Sequence, residues 1–410
     1  MYRKIRNILL LPYHALWALG SALWYRFPAK KLTVIVITGT KGKSSVAEIT
    51  NAILEKNGHR TALAGTIRFK IGDSSTPNVF KMTMPGRGYL QKFLHEAVSK
   101  KCTHAILEVT SEGTKQFRHW CLYPDVVVVT NISKEHIESH GSMERYIAAK
   151  LRIARAVISS PKEKRCLIVR KDNPYTAPFF MIPAEEVRPF SLTDAKDIAC
   201  FDDHISFTWQ NETYTAPLVG TWSVANCLAS LEATSFLGVA HDIAKRALLT
   251  LPVIQGRAEK IDCGQSFFAI VDYAHTPDSL EALYTSFPHH RKICVLGNTG
   301  GGRDTWKRPE MGKIAEQYCD TVILTNEDPY DENPEKIVED IAKGMNKKPL
   351  IIMDRRSAIR EALSKAKEDD VVLITGKGTD PFIMGPSGTK EVWSDASVVR
   401  EELEALRQNN

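Results

Sequence analysis

Residues 32–49 constrain the fold more than any other stretch. The apolar run Leu32-Thr33-Val34-Ile35-Val36 leads into Ile37-Thr38-Gly39-Thr40-Lys41-Gly42-Lys43-Ser44-Ser45, and Val46-Ala47-Glu48-Ile49 follows. This reads as a buried strand entering a glycine-rich turn that opens a helix. Such a helix N-terminus offers unsatisfied N–H groups and a positive dipole end to an anion. Gly39 and Gly42 let the backbone wrap that anion closely. Lys43 can reach β- and γ-phosphates, and the Ser44 hydroxyl can ligate Mg²⁺. The loop is shorter than the usual G-x-x-x-x-G-K-[ST], because Ile37 sits where the first glycine would be. The plainer reading is a strand-to-helix turn that carries Gly-Lys-Ser by chance. The strand before it and the helix after it argue against that.

The 410 residues are enough for two or three domains, each with its own core. An apolar content of 43% and a charged content of 25% are ordinary for a globular protein. The formal net charge is +6, yet residues 1–31 hold six basic residues (Arg3, Lys4, Arg6, Arg26, Lys30, Lys31) and no acid. The rest of the chain is therefore near neutral, and no nucleic-acid partner is expected. The eight cysteines are scattered without a C-x-x-C pair, which suggests neither a zinc ribbon nor a thioredoxin-like motif. They read as reduced thiols of a cytosolic protein.

Short apolar runs alternate with amphipathic stretches. Ala105–Leu107, Val126–Val129, Cys166–Val169, Ile293–Leu296, Thr321–Leu324 and Val371–Ile374 suit strands buried on both faces of parallel sheets. Helical periodicity lies between many of them, as in Ile314–Tyr318, Ile337–Met345 and the long segment Asn226–Leu249. The pattern predicts an α/β protein with a P-loop central domain over 33–251 and a Rossmann-like domain over 252–410, divided near Leu251-Pro252.

Residues 1–32 form a separate apolar and basic segment. No residue from Asn7 to Tyr25 is charged, and Leu9, Leu10, Leu11, Leu16, Trp17, Leu19, Leu23 and Trp24 fall within that run. No small-residue cleavage site marks it as a signal peptide. It is short for a spanning helix, and Pro12 and His14 interrupt it. Aromatic residues between basic flanks suit a helix lying among anionic headgroups. Spanning the bilayer and packing on the protein's own surface stay open as alternatives. In each case the phosphate site faces the cytoplasm, at the inner face of the membrane if the segment is an anchor.

Polar residues at strand ends could share one site. Glu108 follows Ala105–Leu107. Asn131 follows the valine run, with Glu135, His136, Glu138 and His140 close behind. Glu108 and His136 suit Mg²⁺, which takes few protein ligands, and ligands bind at this edge of open α/β sheets. Taken singly, Glu108 reads equally as a surface carboxylate and His136 as a structural histidine.

The chain resembles the Mur ligases, ATP-dependent amide-forming enzymes of bacterial cell-wall synthesis. The loop Gly39–Ser45 is similar to their short P-loop. Thr130-Asn131-Ile132-Ser133-Lys134-Glu135-His136 through Tyr146-Ile147-Ala148-Ala149-Lys150 is similar to their T-N-[LI]-x-x-[DE]-H…Y-x-x-A-K motif. Gly256-Arg257-Ala258-Glu259, Asp272-Tyr273-Ala274-His275-Thr276-Pro277-Asp278, Gly300 to Pro309 and Gly376-Lys377-Gly378 follow in the family's order. The Tyr-Ala-His-Thr-Pro-Asp form points to the branch that adds the third residue of the stem peptide, the tripeptide synthetases.

The resemblance implies roles. Gly39, Thr40, Lys41, Gly42, Lys43, Ser44 and Ser45 would bind ATP, with Asn226 near adenine and Asp272, His275 and Arg303 from the C-terminal domain. Ser44, Glu108, His136 and Lys150 would serve Mg²⁺, with Lys150 carbamylated. Lys43, Glu108, His136 and Lys150 form the catalytic set. Thr83, Thr110, Gln116 and Arg118 would bind the acceptor, and Asp328, Tyr330, Gly376 and Asp380 the incoming amino acid. A peptide-linked cell-wall precursor and a free amino acid would be the partners of a monomeric enzyme. The acceptor carboxylate attacks the γ-phosphate to give an acyl phosphate, which the amine then opens. Domain closure should precede this chemistry, because water would destroy the acyl phosphate.

Departures from the family pattern matter too. About thirty residues precede the P-loop domain where the family usually has a uridine-binding domain, so the acceptor is expected to be held differently or to lack the nucleotide. Met84 replaces a usual Thr and Glu112 a usual His. G-G-D-R-D reads Gly300-Gly301-Gly302-Arg303-Asp304, and G-K-G-H-E ends in Thr379-Asp380. Tyr330 stands where diaminopimelate users carry Arg, in a loop with Glu327, Asp328, Asp331 and Glu332. A diamino acid without the second carboxylate is therefore expected, although these acids could merely cap the helix near Glu335, and Arg355 or Arg356 could substitute for the missing arginine. A poly-γ-glutamate-type ligase and a degenerate nucleotide-binding scaffold are the alternatives. The intact Lys43, Ser44, Glu108, His136 and Lys150 argue against the scaffold, and no Asn-Lys-x-Asp guanine motif occurs.

Overall fold

A computed structural model describes residues 10–135, 140–302 and 304–408. His136 and Arg303 lie outside the described residues. The chain forms two compact units. The first takes in the chain to Ala199 with His204–Pro217 and Thr221–Pro252; the second takes in Cys200–Asp203, Leu218–Gly220 and the chain from Val253.

In the first unit, β1 (Thr33–Thr38), β2 (Thr61–Ala64), β3 (Arg68–Ile71), β4 (Ser74–Pro77), β5 (His104–Glu108), β6 (Val126–Val129), β7 (Cys166–Arg170) and β8 (Glu186–Phe190) make one sheet, in the order β4-β3-β2-β5-β1-β6-β7-β8. From β2 to β8 along this order the pairing is parallel; β3 and β4 add as antiparallel edge strands. The central strands read as continuous apolar runs because helices cover both faces. A smaller sheet, β11-β10-β9, comprises β9 (Lys196–Cys200), β10 (Ile205–Trp209) and β11 (Glu212–Ala216).

The first unit's helices are α1 (Leu11–Trp24), α2 (Lys43–Lys56), α3 (Tyr89–Ser99), α4 (Ser111–Lys115), α5 (Met143–Arg155), α6 (Thr221–Phe236) and α7 (His241–Leu249). Two sequence expectations change here. The segment read as one helix, Asn226–Leu249, is two, α6 and α7. Gly238 takes φ +85, its N–H donates to the Ser235 carbonyl and the Val239 N–H to that of Thr234, which closes α6 with a left-handed cap. Pro12 does not interrupt α1, because it occupies the first turn, where a missing N–H costs nothing. His14 is likewise inside α1.

The second unit carries β12 (Glu259–Ile261), β13 (Phe268–Asp272), β14 (Lys292–Leu296), β15 (Thr321–Leu324), β16 (Leu350–Ile351) and β17 (Val371–Thr375), in the order β12-β13-β17-β14-β15-β16. All pairs but β12–β13 are parallel. The hairpin β18 (Phe382–Met384) and β19 (Lys390–Val392) follows. Helices α8 (Pro277–Thr285), α9 (Lys307–Tyr318), α10 (Pro334–Ala342), α11 (Arg355–Ser364) and α12 (Asp395–Gln408) belong to this unit. The fold is the α/β class that the alternating runs predict.

A buried ion pair fixes α11 to α12. Arg355 Nε and Nη2 donate to the two carboxylate oxygens of Asp395 at 2.8 and 2.6 Å, and Nη2 also donates to the Thr375 carbonyl at 2.8 Å. Both side chains are almost wholly buried. Removing one partner leaves the other charge buried without its paired ion. Asp395→Ala is therefore expected to cost about 3–5 kcal/mol in urea unfolding, and the paired replacement Arg355→Met with Asp395→Leu far less.

Candidate active site

Strand register gathers the first unit's polar residues. β5 and β6 flank β1, with Glu108 beside Ile37 and Val129 beside Thr38. The loop after β1, the end of β5 and the Thr130-Asn131 turn after β6 thus leave the sheet at one edge.

The loop after β1 can be built only from glycine at two points. Gly39 has φ +149, and a Cβ there would lie 1.9 Å from Thr130 Oγ1; Gly42 has φ +78, and a Cβ would lie 2.3 Å from Asn226 Oδ1. Asn226 therefore packs directly against the turn. The loop is tied down on its far side. The Thr40 N–H donates to the Asn131 carbonyl at 2.8 Å, the Lys41 N–H to Asn131 Oδ1 at 2.9 Å, and Thr130 Oγ1 to the Lys41 carbonyl at 2.6 Å. Thr40 Oγ1 pairs with Tyr146 Oη at 2.9 Å and accepts the Ser133 N–H. Gly42 is the N-cap of α2, and no side chain caps that end. The first-turn N–H groups of Lys43, Ser44 and Ser45 lie at this positive dipole end, where a helix attracts an anion.

Two amines converge on one carbonyl. Lys43 Nζ donates to the Gly39 and Thr40 oxygens at 3.1 and 2.8 Å, and Lys150 Nζ, carried on α5, donates to the Gly39 oxygen at 2.7 Å. Lys150 is 2% exposed. Burial, and then the neighbouring Lys43 charge, hold its pKa well below the ordinary lysine value, while Glu135 acts in the opposite direction. Lys150 is a buried site residue, not the solvated helix residue its neighbours in sequence suggest.

Glu108 is 2% exposed. It accepts from Ser44 Oγ at 3.1 Å, the Thr66 N–H at 2.8 Å and Thr66 Oγ1 at 3.0 Å. This overturns its reading as a surface carboxylate. Thr66 was invisible in the sequence, since a lone Thr after β2 carries no signal. It links Glu108 to Thr83, with the two threonine hydroxyls 2.8 Å apart. Next to Thr83, the Met84 carbonyl accepts from Arg118 and the Met84 thioether from the Thr110 N–H at 3.3 Å; Arg118 also reaches Gln116 Oε1. Thr110 itself caps α4. Thr83, Thr110, Gln116 and Arg118 thus form one connected group running away from Glu108. Ser44 Oγ and Glu108 Oε2, 3.1 Å apart, are oxygen donors of the kind Mg²⁺ takes. Among the described residues no cluster of three His, Cys, Asp or Glu side chains that could hold a metal occurs.

In the second unit, Asp272 accepts the Ala258 and Ala274 N–H groups at 2.6 Å each, and His275 Nδ1 pairs with the Tyr273 carbonyl at 2.7 Å. Gly256 packs so closely on Gly378 and Thr379 that a Cβ would lie 2.6 Å from their backbone. The Gly256, Tyr273–His275 and Gly376–Asp380 segments are thereby held together. Asp328 accepts from Lys377 Nζ at 2.7 Å and from the Met384 N–H at 2.8 Å, and Lys377 lies 3.3 Å from Asp380. Tyr330, at φ +53, donates its N–H to the Met384 carbonyl. Gly376, at φ +105, leaves room for the Glu327 carboxylate. Asp328, Tyr330, Gly376 and Asp380 are thus neighbours.

A helix N-terminus with a hydroxyl, a buried carboxylate, a partly exposed amine and a buried one at the carboxyl edge of a parallel sheet defines a P-loop enzyme that uses a nucleoside triphosphate. Residues 37–234 match the Mur ligase middle domain, and residues 256–378 match the Mur ligase glutamate ligase domain. The chain is 33% identical over 398 residues to a UDP-N-acetylmuramoyl-L-alanyl-D-glutamate–2,6-diaminopimelate ligase of Caldanaerobacter subterraneus, covering 93% of this chain and 80% of the relative. It is 32% identical to a UDP-N-acetylmuramyl-tripeptide synthetase of Roseiflexus, covering 94% and 81%. A solved diaminopimelate ligase of the same name as the first relative superposes with TM-score 0.65 at 26% identity, over 96% of this chain and 83% of that one. The Mycobacterium tuberculosis folylpolyglutamate synthase shares the fold, with TM-score 0.71 at 16% identity over 91% and 97%. The chain belongs to the Mur ligase family and is an ATP-dependent acid–amino-acid ligase.

Thr66→Val would remove the hydroxyl that serves both Glu108 and Thr83. It is expected to cost about 1–2 kcal/mol in urea unfolding, with Thr66→Ser recovering most of the loss.

Proposed function

We propose that this ligase adds a diamino acid, as the third residue, to a UDP-linked muramoyl dipeptide, forming ADP and phosphate in the cytoplasm. The observation that carries the proposal is the convergence of Lys43, Ser44, Glu108 and Lys150 at one sheet edge, with Thr83, Thr110, Gln116 and Arg118 continuing from it. The names of the most similar relatives support the substrate.

The acceptor lies along Thr83, Thr110 and Arg118 with its free carboxylate toward Lys43. That carboxylate attacks the γ-phosphate, the bond from the γ-phosphorus to ADP breaks, and an acyl phosphate results. Lys43 and the first-turn N–H groups of α2 hold the phosphates, so catalysis is positioning and charge stabilisation. Asn226 lies beside the turn and is proposed to contact adenine. Asp272, His275 and Arg303 are proposed nucleotide contacts of the second unit. Mg²⁺, when bound, would neutralise phosphate charge, held by Ser44, Glu108, His136 and a carbamylated Lys150. Burial and the neighbouring Lys43 charge disfavour the ammonium form of Lys150, and a free amine adds CO₂ with release of a proton. The amino acid's amine then attacks the activated carbonyl and phosphate leaves.

The side-chain preference follows from which charges are already paired. Asp328 is paired with Lys377, Glu332 takes a bidentate fork from buried Arg308, and Asp331 accepts the Ser387 N–H. Glu327 accepts from Thr299 at 2.8 Å through one oxygen, and its other oxygen is buried without a partner. Arg355 is held by Asp395, and Arg356 by Glu401 and Glu402, so neither replaces the arginine that Tyr330 displaces. A cationic side-chain end without a carboxylate fits this loop better than diaminopimelate.

Helix α1 supports a peripheral contact with an anionic bilayer. Trp24, Leu16 and Leu23 are 82%, 72% and 62% exposed, beside the basic residues Arg26, Lys30 and Lys31. Among the described residues no helix is long and apolar enough to cross a membrane.

Lys43→Ala should lower turnover about a hundredfold or more, and wild-type phosphate release would exclude the loop from the chemistry. In one ligation assay containing lysine and meso-diaminopimelate, lysine should be incorporated preferentially. A clear preference for diaminopimelate would refute the side-chain reading and leave the ligase reading intact.

A further inference from the structure

Between α1 and the segment leading into α3 lies a cleft of about 560 Å³. A second cavity, of about 640 Å³, shares Tyr13, Trp17, Ser21 and Gly86–Tyr89 with it. Helix α1 is seated here through Ser21 and Ala22, both buried. Ser21 is buried against Gly88, where a Cβ would lie 2.6 Å from the Ser21 Cβ. The rest of the helix's inner face leaves Tyr13, His14 and Trp17 on the cleft wall.

The charges around this cleft are of one sign. Among the described residues Arg87 and Arg118 line it, and no carboxylate does. The guanidinium of Arg118 is bonded to two neutral oxygens, the Met84 carbonyl and Gln116 Oε1. Burial, with no acid opposing it, lowers its pKa, and the positive charge of Arg118 helps to lower that of His14. Arg87 is exposed on the turn before α3, at φ +55. A half-buried guanidinium with only neutral partners is strongly placed to take a phosphate or carboxylate. The aromatic rings of Trp17, Tyr89 and Trp120 supply flat apolar surface beside it.

The cleft also continues the acceptor path. Glu108, Thr66, Thr83, Met84 and Arg118 form an unbroken run of contacts from the phosphate site to the cleft mouth. An acceptor whose carboxylate reacts near Lys43 would leave its other end here.

We infer that this cleft binds the nucleoside diphosphate end of the acceptor, with Arg87 and Arg118 on the phosphates and Trp17 of α1 against the base. The inference rests on the acceptor being UDP-linked, as proposed above, and gives α1 a binding role independent of any membrane contact.

UDP itself is the probe, titrated calorimetrically into the full chain with the P-loop saturated by ADP, so that the two nucleotide sites are not confused. UDP should bind under these conditions. Arg87→Gln and Trp17→Ala should each weaken it about tenfold and raise the KM for the UDP-linked acceptor by a similar factor, with ADP affinity kept as the check on folding. Arg87 is on the surface, so its replacement keeps the test decisive if Trp17→Ala proves unstable. Failure of UDP to bind beside ADP would overturn the inference, as would affinities that ignore both substitutions or an equal KM for the same acceptor without its nucleotide. A parallel arm uses phosphatidylglycerol vesicles: substitution-sensitive binding to vesicles and not to UDP would reassign the cleft to a lipid headgroup and overturn it. Substitution-sensitive UDP binding without ligation of any UDP-linked acceptor would support the cleft and defeat the proposed reaction.

Discussion

One backbone oxygen organises the first unit. The Gly39 carbonyl accepts from both Lys43 and Lys150, which come from the first residue of α2 and from α5, more than a hundred residues further on. Burial, and then the nearby Lys43 charge, disfavour the ammonium form of Lys150. Lys150 lies within a site that also offers the Ser44 hydroxyl and the Glu108 carboxylate. Everything around it serves to hold that geometry: Tyr146 on Thr40, Asn131 and Thr130 on the loop, and Asn226 against Gly42.

The sheet makes this possible. Parallel register aligns the ends of β1, β5 and β6, so residues 37, 108 and 129 leave the sheet together although they lie far apart in sequence. From that edge the polar path runs through Thr66 and Thr83 to Arg118 and the cleft under α1. The proposed site is therefore an elongated track that begins at the strand ends and runs to the cleft beside α1. This shape suits a long acceptor that reacts at one terminus only.

Much of this was legible in the chain before any coordinates. The central strands β1, β5, β6, β7, β14, β15 and β17 carry short apolar runs, and burial on both faces leaves little else they could be. The turn at Gly39–Ser45 carries its own chemistry in its residue types. What could not be read depends on tertiary placement. Thr66 has no local signal, because its role comes from β2 lying beside β5. The pairing of Arg355 with Asp395 joins helices forty residues apart and removes an arginine that sequence alone left free to serve the substrate. The break at Gly238 and the harmless Pro12 are matters of one residue's position within a helix, where periodicity is blind. The acidic loop after β15 looks uniformly negative in sequence, yet Lys377 and Arg308 pair two of its acids from outside the loop.

The account turns on the proposed carbamylation of Lys150. The direct measurement is ¹³C NMR of the full chain equilibrated with ¹³C-bicarbonate, ATP and Mg²⁺. The account predicts one protected carbamate carbon, absent from Lys150→Arg and diminished when bicarbonate is stripped. A spectrum without that signal in fully active enzyme, or a neutron or high-resolution crystal structure showing an ammonium at Lys150 with nucleotide bound, would contradict it.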